Sequence, residues 1–142
     1  MRLVRYLENG APALALEAAD GLRGRVVGEQ LADLDLLIDA GPEALASARA
    51  LLANAPLIDR DGLVYAAPLP RPRKIICCGL NYSAHTEESP YDQPAHPTLF
   101  LRVATTLVAH EQPIVRPLAS DSLDYEGELV AVIGKRGRHI DV

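Results

Sequence analysis

Asp124-Tyr125-Glu126-Gly127-Glu128-Leu129-Val130-Ala131-Val132-Ile133-Gly134 sets two carboxylates one residue apart at the mouth of an apolar run. The run predicts a strand, and side chains at i and i+2 of a strand point to the same face, so Glu126 and Glu128 can reach one cation. Two hard oxygen donors suit Mg²⁺, Mn²⁺ or Ca²⁺ better than zinc, which prefers nitrogen and sulfur. A lone Glu-x-Glu in an acidic protein is more often a solvated strand edge than a metal site. The pair therefore needs company before it carries chemistry.

Upstream, Lys74-Ile75-Ile76-Cys77-Cys78-Gly79-Leu80-Asn81-Tyr82-Ser83-Ala84-His85-Thr86-Glu87-Glu88 supplies it. A short buried strand is expected up to Gly79, followed by a helical turn in which His85 and Glu88, three residues apart, share a face. A carboxylate that holds one imidazole nitrogen fixes the tautomer and leaves the other to take or give a proton. The plain alternative is a surface His–Glu pair with no chemistry.

Taken together, these stretches resemble the fumarylacetoacetate hydrolase family. The resemblance runs through Gly79-x-Asn81-Tyr82-x-x-His85-x-x-Glu88, Pro97-Thr98-Leu99-Phe100-Leu101-Arg102, Pro113-Ile114, Pro117, Asp124-Tyr125-Glu126-Gly127-Glu128 and Gly134-Lys135. It implies an α+β protein, with a small N-terminal β/α domain (1–70) followed by the first part of a mixed β-roll catalytic domain (71–142). By resemblance, Glu126 and Glu128 are metal ligands for Mg²⁺ or Mn²⁺, His85 with Glu88 is the acid–base dyad, and Arg102 stands at a substrate-binding position. Members more often carry Lys-Pro where this chain has Arg102-Val103, but arginine still offers a fixed fork for a carboxylate. The activity implied is hydrolysis or lysis of a carbon–carbon bond in a 2-oxo or β-diketo acid such as an acylpyruvate. Decarboxylation, isomerisation or dehydration of an oxo acid are the alternatives on the same scaffold. Members add a third ligand, an aspartate, well downstream of Glu-x-Glu. Asp141 lies too close to be that residue, so the 142 residues are expected to be the N-terminal portion of an enzyme. Alone they would be inactive, a non-catalytic fragment or interaction module whose open strand edge leads it to self-associate or to pair with the rest of the polypeptide; for the enzyme a homodimer is expected.

Composition agrees with a folded chain. Hydrophobic residues make up 49% of the sequence, which excludes a disordered polypeptide. A net charge of −5 and the lack of a basic stripe argue against nucleic acid or an anionic membrane as partner. No signal-peptide pattern follows Met1 and no apolar run reaches membrane-spanning length, so a cytoplasmic location is expected. Cys77 and Cys78, adjacent in the expected strand, point to opposite faces and read as reduced core residues. His96, His110 and His139 read as surface residues.

Outward from the motifs, Arg2–Tyr6 and Pro12–Leu16 alternate as strands do, with Asn9-Gly10 as the turn. Helices are expected over Gly28–Ala40 and Pro42–Ala53, the second opened by Pro42 and stopped at Asn54-Ala55-Pro56. Ala67-Pro68-Leu69-Pro70-Arg71-Pro72-Arg73 is a stiff linker and the expected domain boundary. Beyond Gly79, a proline-rich loop from Ser89 to Pro97 could close over a substrate. Short strands are expected near Leu99, Ile114 and Leu129, and a hairpin at Gly134–Gly137 leading into His139–Val142.

Overall fold

A computed structural model describes residues 1–25 and 32–141. The chain divides into two compact units, Met1–Pro70 with Val108–Val142, and Arg71–Leu107.

In the first unit, β1 (Arg2–Glu8) and β2 (Ala11–Ala18) form the hairpin expected from the alternating residues, with Glu8 opposite Ala11. Asn9 and Gly10 both take positive φ, 54° and 81°. That two-residue turn has the twist that antiparallel strands require, and asparagine and glycine are the residues that adopt it most cheaply. A second tight turn leads to β3 (Gly21–Gly24), antiparallel to β2. After two helices the chain returns through β4 (Leu57–Ile58) and β5 (Val64–Tyr65), giving the sheet order β4-β3-β2-β1-β5.

The outer two strands are adjacent in sequence although they lie at opposite edges. Four inter-strand steps of about 4.8 Å would make a flat sheet ~19 Å wide. Six residue steps reach about 21 Å only when fully extended, yet the connection turns: Leu63 N–H donates to Arg60 O at 3.2 Å, and Gly62 has φ 81°. The sheet therefore curls until its edges approach. Inside the curl sit Tyr6, Ala13, Ala15 and Leu22, with Val4, Ile58 and Leu63 packed against them. On the outer face Leu14 and Leu16 meet Leu37, Ala48 and Leu52 of the helices. β2 is thus buried on both faces from Ala13 to Leu16 instead of alternating between core and solvent. Alanines face the narrow interior and leucines the helices.

α1 (Leu34–Ala40) is shorter than the expected Gly28–Ala40, of which 28–31 lie outside the described residues. Asp33 explains its start: Oδ1 accepts from the amides of Asp35 (3.1 Å) and Leu36 (3.4 Å), capping donors that no earlier turn can satisfy. α2 (Pro42–Ala53) runs as expected, with Pro42 in its first turn and Asn54 as C-cap. Arg5 ties the unit together, donating to Ala32 O (3.3 Å) and Ala67 O (3.0 Å).

The second unit holds β6 (Ile75–Gly79), α3 (Ser83–Glu88) and β7 (Thr98–Arg102). β6 and β7 pair antiparallel from Ile75–Arg102 to Gly79–Thr98. The expected strand ends at Gly79 as read, but it is not deeply buried. Ile76, Leu99 and Leu101 share one exposed face, and Cys77 and Cys78 are free and only half-buried rather than core residues. A two-stranded sheet has no third layer to cover both faces.

From Leu107 to Asp141 there is no helix or strand among the described residues. The strands expected near Ile114, Leu129 and His139 are not formed, nor is the hairpin at Gly134–Gly137, and Val142 lies outside the described residues. An apolar run becomes a strand only when a neighbouring strand takes its backbone donors and acceptors, and local sequence does not supply that neighbour.

Candidate active site

β6 carries the chain to Gly79, and the next residue reverses it. Leu80 has φ 54°, a left-handed conformation unusual for leucine. Its carbonyl accepts from Gln93 Nε2 at 2.9 Å and lies 3.5 Å from Thr86 Oγ1. Thr86 is the buried residue of α3. Its amide and hydroxyl both donate to Tyr82 O, at 3.1 and 3.2 Å. Ser89 closes the helix, with N–H and Oγ both donating to Thr86 O. This frame displays His85 and Glu88, three residues apart and both exposed, at the C-terminal end of a short helix. Helical spacing puts them on one face, as the sequence pattern requires.

Arg102 ends β7, its guanidinium carbon 5.7 Å from the centroid of the Phe100 ring, which shares its face of the strand. The register sets Arg102 opposite Ile75, whereas α3 leaves from the Gly79–Thr98 end. Four strand steps, about 13 Å, separate the two ends of the ladder. The hairpin itself therefore does not bring Arg102 beside the start of the His85 helix.

Glu126 and Glu128 flank Gly127 in irregular, exposed backbone in the first unit. The strand that was to align them is not formed, so their common direction is not fixed by strand alternation. The described residues contain no group of three His, Cys, Asp or Glu side chains placed to share a metal. As a donor set, the two carboxylates have the hard-oxygen chemistry that Mg²⁺ or Mn²⁺ favours. Gln93 and the reversal at Leu80 went unread in the sequence. No local pattern marks either, because the turn residue is a leucine and its partner lies in the following loop.

Residues 74–142 match the family described as fumarylacetoacetate (FAA) hydrolase C-terminal. Over 99% of its length the chain is 38% identical to oxaloacetate tautomerase Fahd2a, mitochondrial, of Rattus norvegicus, covering 47% of that protein. The human oxaloacetate tautomerase FAHD2A, mitochondrial, is 35% identical over the same share of the chain and 47% of its own length. Over residues 74–142 the chain is similar to the fumarylacetoacetate hydrolase family. An uncharacterized protein of Methanocaldococcus jannaschii is 43% identical across 49% of this chain and 30% of its own.

The chain spans about half the length of the vertebrate oxaloacetate tautomerases it matches. Mixed helices and strands with a curled sheet are compatible with this family. The expected cytoplasmic location is corrected: the rat, human and Xenopus laevis relatives are named as mitochondrial proteins. No helix among the described residues is long and apolar enough to cross a membrane.

Proposed function

We propose that this chain forms part of a metal-assisted enzyme that moves a proton on a 2-oxo acid, interconverting the keto and enol forms of oxaloacetate or a close relative. The observation that carries this reading is the 38% identity to an oxaloacetate tautomerase along 99% of the chain. Carbon–carbon bond cleavage in an acylpyruvate is the second reading, favoured by the family's hydrolase description. Cleavage needs a base to take a proton from the water that attacks the carbonyl, the enolate leaving as the carbon–carbon bond breaks, whereas tautomerisation needs removal of a proton from a carbon beside a carbonyl.

In this reading His85 takes and returns that proton, and Glu88 holds the imidazole by the nitrogen that does not. Glu126 and Glu128 would hold a divalent cation, whose contribution is positive charge against a developing enolate oxygen. Arg102 would receive a substrate carboxylate with its planar fork. The division into an N-terminal domain (1–70) and the first part of a β-roll catalytic domain (71–142), and assembly as a homodimer, belong to the same proposal.

The test uses the protein at its natural length, with oxaloacetate and Mg²⁺ or Mn²⁺, following loss of the enol absorbance. His85→Ala and Glu88→Ala each lower turnover by on the order of a hundredfold, the scale of a lost general base, with metal binding retained. Glu126→Gln and Glu128→Gln each weaken metal binding in a calorimetric titration. Near-normal turnover in both dyad variants returns His85 and Glu88 to the surface-pair alternative.

A further inference from the structure

We infer that Gln93 is a positioning residue for the proposed catalytic helix: by holding the Leu80 carbonyl it locks the reversal from which the His85 helix departs. The inference deepens the proposed function and rests on His85 as the proton-handling group.

A left-handed conformation costs a leucine free energy because Cβ crowds the following carbonyl, and a strained residue persists only where its surroundings over-determine it. At Leu80, φ 54°, the surroundings are two side chains that converge on one oxygen. Gln93 Nε2 donates to it at 2.9 Å, and Thr86 Oγ1 lies 3.5 Å away while making its closer contact, 3.2 Å, with Tyr82 O. Gln93 is thus the main external hold on the reversal. Only its –NH₂ can serve, because the acceptor is a carbonyl. The helix cannot substitute for this hold. Ser83–Glu88 is a six-residue element, far below the length at which a helix sustains itself, so its direction is inherited from the turn before it.

Two substitutions separate the bond from bulk. Gln93→Glu keeps the shape and loses the donor, and Gln93→Ala loses both. A third relieves the strain: Leu80→Asn places at the reversal a residue that enters the left-handed region readily.

The experiment reads hydrogen exchange at the Thr86 amide, which donates to Tyr82 O inside the helix, together with kcat and KM on oxaloacetate, using the protein at its natural length. Gln93→Ala and Gln93→Glu are each expected to speed Thr86 exchange by about fivefold, the factor for one net hydrogen bond, and to lower kcat more than KM changes. In a Leu80→Asn background the same changes at Gln93 should alter exchange and kcat by less than about twofold, since the hold is then needed less. Wild-type exchange in both Gln93 variants overturns the inference, and so does a Gln93 effect that Leu80→Asn leaves undiminished. Faster exchange with unchanged kcat, in an enzyme that His85→Ala inactivates, overturns the positioning role. If His85→Ala leaves turnover intact, it is the assignment of His85 that fails, and the positioning role falls with it, whereas the exchange data separately judge the hold on Leu80.

Discussion

Gly24 shows how little freedom a single residue has inside the curled sheet. A Cβ there would lie 2.5 Å from Ile58 Cδ1, 3.0 Å from Tyr6 Oη and 3.1 Å from Ala15 Cβ. Gly24→Ala is expected to destabilise by about 1–3 kcal/mol, the usual cost of overpacking, measured as a lower denaturant midpoint with unchanged m-value. Tyr6 beside it is 2% exposed, and its hydroxyl meets no hydrogen-bond partner among the described residues. Tyr6→Phe should therefore hold or raise the midpoint; a loss above ~1 kcal/mol would mean that the hydroxyl is in fact satisfied. Glu17 gives the pH dependence. Its carboxyl accepts from Arg60 at 2.7 Å and Arg2 at 3.3 Å, and these bonds, Arg60 first, hold its pKa below the ordinary value. A carboxylate with a lowered folded pKa contributes stability above its unfolded pKa and loses it as pH falls through the folded one. Wild type should lose more Tm than Glu17→Gln between roughly pH 4.5 and lower values, where unfolded glutamate also protonates.

At the scale of elements, the caps decide where the helices lie. Asp33→Ala removes the acceptor for two α1 amides and should cost about 1 kcal/mol, whereas Asp33→Asn, which keeps an acceptor oxygen, should cost less. Thermal melts of the pair distinguish a lost cap from a lost charge. The same elements show what was legible in the sequence. The Asn9-Gly10 turn, the Pro42 helix and the helical turn carrying His85 depend on local chemistry and are legible in the residues, whereas of the strand to Gly79 only the position is legible, not its exposure. β3, β4 and β5 were not singled out, since each is a short stretch held by partners distant in the chain. The run Leu129–Ile133 looked like a strand by composition, but composition cannot provide a ladder partner. For the site, residue types and spacings could be read from the chain. The hold of Gln93 on Leu80 could not, because it depends on where a loop brings an amide.

For the whole molecule, the feature that matters most is uncovered apolar surface. Leu118 is 99% exposed, Leu129 90% and Val115 86%, and Leu99 and Leu101 face solvent from β7. Apolar area on this scale marks surfaces that bind other polypeptide or aggregate. Residues 1–142 prepared alone should bind a hydrophobic dye and sediment with a mass that rises with concentration. Ideal monomeric sedimentation without dye binding would show that this surface is covered in solution. The curled sheet of the first unit has a different consequence, in time rather than in surface. Its β1–β2 and β2–β3 turns close over two residues each, so those pairings form early. The seams Tyr6–Tyr65 and Leu22–Ile58 join segments far apart in the chain and must wait for both helices to be placed. Docking of the two edge strands is therefore expected to be the late event of folding. Substitutions at Ile58 or Leu63 should quicken unfolding while leaving the refolding rate nearly unchanged.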